Sequence, residues 1–458
     1  MNDYEELDKT SKCDVVIAGG GTAGVVAALA SARLGAKTVL VEAKGYPGGL
    51  AVEGGTALHS FYNLWKAFPG VEKRQVVKGI PQEIVDRLID AGGTSGHAEM
   101  LLGYDYDSVC TAVDTEIYKR MVFEMLDEAG VHVCVNTLLT GAIKEDGWVR
   151  GVIAESHSGR EVIYADAYVD TTGYGDLAAH AGAGFSEPND YPVANSIGVG
   201  GVNVEKYHEF LEANGALAHY AEGWRSGREK QIVRLQAISK NLPSEFREMS
   251  RKIGMASVIT TVQDDYFMFV KLNYKMSASP TNRDEATKAE LELRKRQAMA
   301  IELFRTHVPG CEKAFITRSS PSLCIRRGRL ITCDYDITLD DVLEGRHFDD
   351  DVMAYGFHDN APRLQIKDGG TYGIPYRALR PVGLDNLLVA GMLITSDHDA
   401  HMSTRNTVCC MGQGQAVGTA AALCASRGCS TRELPYGDLR TVLEENDVIL
   451  ENQLAGVV

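Results

Sequence analysis

The run CDVVIAGGGTAG, Cys13 to Gly24, constrains this chain more than any other stretch of it. A short, unbroken apolar segment is the pattern of a strand buried on both faces of a parallel sheet, and here a glycine cluster follows it directly. The Ala-rich stretch Val25 to Ala36 then reads as a helix closing at Gly35, and KTVLVEAK as a second strand. Strand, helix and strand within about thirty residues make one parallel βαβ unit.

The glycines of that turn, Gly19, Gly21 and Gly24, have the spacing GxGxxG, and Glu42 ends the second strand. Gly19 permits the tight turn, Gly21 lets a pyrophosphate approach the backbone, and Gly24 lets helix and strand pack closely. The helix N-terminus offers unpaired N–H groups and a positive dipole end to phosphates. Glu42 can accept hydrogen bonds from a ribose, and its charge disfavours a 2′-phosphate. A glycine-rich turn without a ligand would leave Glu42 unexplained. The motif therefore predicts dinucleotide binding, with FAD and NAD both open at this point.

The other bulk properties narrow the class. At 458 residues the chain has room for two or three domains. Its 46 Lys and Arg stand against 62 Asp and Glu, a net charge of -16, which disfavours nucleic-acid and anionic-membrane partners. One local basic run, IRRGRL at Ile325 to Leu330, reads as structural. The opening MNDYEELDKTSK is hydrophilic, and no apolar run approaches the roughly 20 residues of a membrane span, so a cytoplasmic location is expected. Ten cysteines without CxxC spacing read as reduced thiols.

Residues 50 to 110 read as irregular loops and short helices over the sheet, followed by a polar helix from Asp114 to Ala129. VHVCVN, TGAIKED, WVRGVIAES and EVIYADAYVDTTG then read as successive strands, a small antiparallel meander inserted in the α/β domain. Residues 200 to 310 read as helical and charged, with DEATKAELELRKRQAMAIELFRTHV as a cap-domain helix. From Tyr372 the α/β texture resumes, with NLLVAG as a buried strand and GQAVGTAAALCAS as a small-residue helix.

With AKGYPGG after Glu42, the chain resembles the FAD-dependent oxidoreductase family related to fumarate-reductase and glutathione-reductase flavoproteins. YVDTTGYGDLAAHAGA (Tyr168 to Ala183), CIRRGRLITCDYDITLDDVLEGRHFDD (Cys324 to Asp350), YGIPYRALRPVGLDNLLVAGMLITSDHDAH and CCMGQGQAVGTAAAL carry the likeness. Tyr174 stands where the family usually has an acid, and Met392 where it has arginine. The resemblance implies a Rossmann-like FAD-binding domain, a parallel sheet with an antiparallel meander insertion, plus a mixed α+β substrate or cap domain. It divides the chain into an FAD-binding domain of residues 1–60, 111–190 and 370–458, and a cap of 61–110 and 191–369. By position it assigns Gly19, Gly21, Gly24, Glu42, Lys44, Gly48 and Gly49 to FAD, with Leu139 near the adenine. Gly173, Asp176 and Gly391 join them, and Thr407 and Val408 would face the pyrimidine edge of the flavin at a helix N-terminus.

Hydride transfer at flavin N5 needs a substrate carbon held against the ring and a proton donor or acceptor beside it. His398, His401 and Arg405 fall between the last FAD strand and the flavin-facing helix. One histidine is expected as acid or base and Arg405 as the ligand of a carboxylate, carbonyl or enolate oxygen. Each histidine also has a plainer reading as a loop hydrogen bonder, and Arg405 as a salt-bridge partner. Tyr376 and His358 are weaker candidates. The Asp and His residues of DHDAH resemble metal ligands, but nothing in the spacing makes them converge, and no metal is expected. Adjacent Cys409 and Cys410 cannot easily form an ordinary bridge, so a thiol redox pair is not expected either.

The function expected is hydride transfer between flavin N5 and a small polar organic substrate. A single GxGxxG leaves electrons to pass to or from a substrate or a separate acceptor or donor; self-association stays open. The alternative is an electron-relay subunit of a larger redox complex, which the lack of iron–sulfur cysteine spacing disfavours. A flavin-dependent RNA-acting protein is disfavoured by the charge, and a non-enzymatic FAD-binding scaffold is the plainest alternative.

Overall fold

The computed structural model describes residues 10–54, 58–59, 61–62, 74–103, 109–256, 258–359, 364–367 and 370–450. Strand β1 (Val15–Ala18) is buried along its whole length. Helix α1 (Thr22–Arg33) follows and β2 (Thr38–Val41) returns parallel to β1, pairing Val15 with Thr38. The helix starts three residues earlier than the Ala-rich run predicts, because Gly21 of the glycine turn is itself the N-cap. Gly35, at φ +88°, ends it in the left-handed region that glycine adopts freely.

Helix α2 (Thr115–Glu128) is capped by the Asp114 carboxylate, which accepts from the Glu116 and Ile117 N–H groups, and leads to β3 (His132–Cys134). Strands β4 (Leu138–Glu145), β5 (Trp148–Ser156) and β6 (Gly159–Tyr164) form the antiparallel meander, with Thr10–Lys12 added parallel to β6. The meander is shorter than the sequence predicts. Its expected first strand, β3, and the following β7 (Ala167–Asp170) belong instead to the parallel sheet.

The cap is built on β8 (Val193–Gly200) and β9 (Tyr266–Tyr274), antiparallel neighbours in a four-stranded sheet. Helix α3 (Arg283–His307) turns Ala289, Leu293, Ala300 and Phe304 inward at helical spacing, as its stripe predicts, and Asn282 caps it. Residues 200–310 are less helical than expected: Leu217–Arg225 and Arg228–Ala237 form a hairpin in a six-stranded antiparallel sheet. The turn has Ser226 and Gly227 at φ +48° and +81°, the positive pair a two-residue hairpin requires. Its charged residues Arg228, Glu229 and Lys230 are exposed in a row at the turn end of the strand, and such a run reads in sequence like the surface of a helix.

Strand β10 (Leu387–Val389) completes the five-stranded sheet in the order β10-β7-β1-β2-β3, every neighbour parallel. The architecture is an α/β nucleotide-binding unit with a meander insertion and a mixed cap, as expected. Ile84, Val85 and Leu88, and also Ile331 and Val352, which the expected division puts in the cap, pack in the apolar cluster of the parallel sheet.

Helix α4 (Thr407–Arg427) lies across α1. A Cβ added at Gly414 would sit 2.2 Å from the Ala23 carbonyl oxygen, and one at Gly418 2.2 Å from that of Ala27. Glycine at both positions is what lets the two backbones touch. The helix has 21 residues and holds an 18-residue window of mean hydropathy 1.2, apolar and long enough by those measures to cross a membrane, where the sequence predicts no such run. In this fold 89% of that apolar window is buried inside the protein.

Candidate functional site

A cleft of about 400 Å³ opens at the C-terminal ends of β1 and β2, where open parallel sheets bind ligands. Gly19 sits at φ +90°, and a Cβ there would come within 2.7 Å of the Thr171 carbonyl oxygen. A Cβ on Gly24 would meet the Gly19 carbonyl at 1.9 Å. Gly21 differs: the nearest atom to an added Cβ is 3.7 Å away, and the residue borders the cleft. Gly19 and Gly24 are thus required by the protein's own packing, while Gly21 leaves space for a ligand. Gly21 is also the N-cap of α1 and supplies no side-chain cap, so N–H groups of the first turn remain for phosphate oxygens. Gly49, at φ +52°, closes this side, its own Cβ position 2.8 Å from Gly21 Cα.

Glu42 borders the cleft with its carboxylate fixed from behind: Oε2 accepts from Gly20 N–H at 2.7 Å and Oε1 from Lys44 N–H at 2.8 Å. Burial pushes its carboxyl up from the ordinary range, and the two N–H donors oppose that. Lys44 borders the cleft too, but its ammonium is turned onto Glu53, which also accepts from the Tyr46 hydroxyl at 3.1 Å. Glu53, only 2% exposed, is a cleft residue that the sequence reading missed, since nothing in LAVEGG marks it. Thr137, Leu138 and Leu139 form the apolar wall where an adenine is expected.

The opposite wall comes from the turn after β7. Asp170, fully buried, accepts from the Thr172 and Ala178 N–H groups and from the Thr172 hydroxyl. Burial is the larger effect and raises its carboxyl to about 6. Gly173 and Asp176 border the cleft, Asp176 in a 2.8 Å ion pair with Arg329. Gly391 donates its N–H to Gln413 Oε1 at 2.8 Å, which ties the turn after β10 to α4. Thr407, the first residue of α4, lies on the cleft; Val408 is buried behind it and does not. Gly24 and Gly48 likewise stand behind the lining, Gly48 against Val52 and Tyr118.

The stretch from Ile394 to Cys410 folds around Tyr191, another residue missed in the sequence. Tyr191 packs at 4.7 Å against His398, tilted by 35°, and meets His401 edge-on at 5.7 Å; the Arg405 guanidinium lies 5.5 Å from its ring. Its hydroxyl donates to the His398 carbonyl at 2.7 Å. Of the four expected catalytic residues, only Arg405 borders the cleft, pairing through Nη2 with Asp359.

His401 is completely buried. Its Nε2 must carry the proton that it donates to the Arg326 carbonyl at 3.0 Å, and Nδ1 then accepts from the Ser396 hydroxyl at 3.1 Å. Burial, with Arg405 and Arg327 nearby, holds the ring well below the ordinary histidine range, so it stays neutral. Both nitrogens are engaged inside the fold, which removes it from the cleft. Tyr376 is 2% exposed and sits under Arg380, 5.2 Å from its ring. His358 is buried and bonded to the Asp399 carbonyl at 2.8 Å. His398 is partly exposed, with Nδ1 2.9 Å from Asp190.

The Asp and His residues of DHDAH disperse. Asp397 accepts from Leu339 and Ala400 N–H groups, His398 turns to Asp190 and His401 turns inward. Among the described residues no group of three His, Cys, Asp or Glu side chains converges. All ten cysteines are free; Cys409 is buried, and Cys410 borders the cleft with its thiol 3.3 Å from the Arg405 carbonyl.

These residues fit FAD: an open space at Gly21, an uncapped helix N-terminus, a fixed carboxylate at Glu42, and an apolar wall at Leu139. A family model described as FAD dependent oxidoreductase matches residues 14–443. No curated protein matches the chain. Similar solved structures include a geranylgeranyl bacteriochlorophyll reductase-like protein from Thermoplasma acidophilum, at 13% identity over 96% of this chain and 83% of that one, TM-score 0.47. A p-nitrophenol 4-monooxygenase from Pseudomonas putida DLL-E4 is similar at 13% identity over 95% and 86%, TM-score 0.45. A myxobacterial chondrochloren halogenase is similar at 11% identity over 95% and 78%, TM-score 0.47.

Proposed function

The chain belongs to the FAD dependent oxidoreductase family, and from that premise we propose that it transfers a hydride between bound FAD and a small polar organic molecule held by Arg405. FAD supplies two-electron redox chemistry at its isoalloxazine ring. The chain's own residues do the rest. Gly19 and Gly24 shape the turn, Gly21 and the α1 N-terminus receive the pyrophosphate, and Glu42 receives a ribose. Gly391, Thr407 and the N-terminus of α4 border the other end of the cleft, where a positive helix end favours added negative charge.

The observation that carries the reading is the position of Arg405. It borders the cleft two residues before α4 begins, and its guanidinium is steered by Asp359 on one side and by Tyr191 on the other. A fork held in that way can bind an oxyanion or polarise a carbonyl. Neither histidine borders the cleft: His398 is partly exposed and turned onto Asp190, whereas His401 uses both nitrogens internally, so neither is assigned the proton. A cytoplasmic location and a separate electron acceptor or donor complete the proposal.

The test is turnover with a dye acceptor or donor across a panel of small organic acids and alcohols. Arg405→Ala should lower kcat/KM about 100-fold to 1,000-fold, the scale of a lost charge-assisted contact in a desolvated site, with FAD content unchanged. Full activity in that variant would remove Arg405 from the reaction.

A further inference from the structure

We propose that the substrate is an organic anion, and that its carboxylate or phosphate group is held by Arg326 and Lys271 together with Arg405. The inference rests on the reading of this cleft as a redox site and names the class of molecule it takes.

The run IRRGRL separates into two kinds of arginine. Arg327 pairs with Asp190 at 2.6 Å and donates to the Ser396 carbonyl, and Arg329 pairs with Asp176 and Glu187. Those two are structural, as the sequence predicts. Arg326 is not: its guanidinium donates to the Asn273 amide oxygen at 3.1 Å and meets no carboxylate among the described residues. Its neighbour Ile325 borders the cleft, and its own carbonyl receives His401, so the backbone around it is fixed.

Lys271 and Asn273 are two apart on β9 and share a face of the sheet. The Asn273 that holds Arg326 thus brings Lys271 to the same side. The Lys271 ammonium has no hydrogen bond and no ion pair with any described residue, and Arg405 keeps a buried Nε without an acceptor. The charged and titratable groups acting most strongly on Lys271 are Arg326 and Cys324 from one segment, Arg405 from the stretch before α4, and Asp359. Of these groups Asp359 is the carboxylate, and it is already engaged by Arg405. Burying like charges together is costly unless a counter-charge joins them. The molecule as a whole carries -16, so this local excess of positive charge runs against its composition.

Desolvation and the neighbouring arginines push the Lys271 ammonium down to about 7, and they lower Arg326 to about 10. Both shifts are in the direction expected of cations lacking a partner. An anion seated among them would reverse those shifts, and it would give Arg326, Lys271 and the free edge of Arg405 the acceptors they lack.

The test is isothermal titration calorimetry of the FAD-loaded protein with oxalate, with inorganic phosphate and with neutral oxamide. Saturable binding of oxalate or of phosphate, with oxamide at least about tenfold weaker, is expected; which anion binds tells carboxylate from phosphate substrates. Arg326→Gln and Lys271→Met should each weaken that binding about tenfold or more at unchanged FAD content, and Lys271→Arg should retain it. Equal binding of oxamide, no saturable binding of either anion, or wild-type affinity in both charge-removing variants would overturn the proposal. Loss of fold in Lys271→Met is controlled by Lys271→Arg and by circular dichroism of each variant. Repeating the titration without FAD separates the two readings. A protein that takes no FAD yet binds oxalate refutes the redox reading alone, and one that takes FAD yet binds neither anion refutes this one alone.

Discussion

Asp170 is an ionisable side chain whose state bears on the fold rather than on the reaction. Its carboxyl holds a proton up to about pH 6 in the folded protein, against an ordinary value of 3.8. Because the folded value is raised, the native state binds the extra proton between those two values. The contribution to stability is complete below about pH 4 and is lost as pH rises through 6. At 1.36 kcal/mol per unit, the loss is about 2 to 3 kcal/mol. In Asp170→Asn the decline across that window should disappear, although the variant is less stable overall through its weakened bonds to Thr172 and Ala178. Urea titrations of both proteins at pH 4 and pH 7 check this: an equal fall in both would assign it elsewhere. At this scale the sequence was legible wherever a residue's role is dictated by backbone geometry. Gly19, Gly24 and Gly49 belong to that class, and Glu42 was marked by its place at the end of a strand. It was not legible where a role depends on who arrives across the fold. His401 and His398 look alike in DHDAH, and only burial separates them. Arg326 looks like Arg327, and only the missing carboxylate distinguishes it. Tyr191 and Lys271 lie far along the chain from Arg405, in segments without a motif.

Among elements, the contact between α1 and α4 joins the first and last parts of the nucleotide-binding unit. Ala23 and Ala27 on one helix meet Gly414 and Gly418 on the other, and the α1 turn proposed to receive phosphate is held in place by that contact. Gly414→Val would set its Cβ 2.2 Å from the Ala23 carbonyl and push the helices apart. Overpacking of this kind costs about 1 to 3 kcal/mol, at times more. Thermal unfolding should show the destabilisation, and FAD affinity should fall with it because the α1 N-terminus shifts; wild-type values for both would place the two helices further apart than described. The elements of the sheet were readable because a buried parallel strand is an unbroken apolar run. The hairpin Leu217–Arg225 and Arg228–Ala237 was not, because the charged run Arg228 to Lys230 at its turn end resembles the polar side of a helix. Its turn, SG at Ser226 and Gly227, was the available signal.

For the whole molecule, FAD is proposed to sit in the cleft between the glycine turn and α4. Ligand binding of this kind should stabilise the chain by about 2.7 kcal/mol at a concentration 100-fold above Kd. Gly21 allows the claim to be tested without disturbing the fold, because an added Cβ has 3.7 Å of clearance from the protein and only the pyrophosphate to obstruct. The decisive measurement is an FAD titration of wild type and Gly21→Ala, followed by visible absorption and by the melting temperature of the FAD-free proteins. Wild type should bind one FAD with a flavin spectrum; Gly21→Ala should melt at the same temperature when FAD-free and bind FAD about tenfold or more weakly. A wild-type protein that stays colourless and takes up no FAD, or a Gly21→Ala variant that binds it as tightly as wild type, would contradict the account.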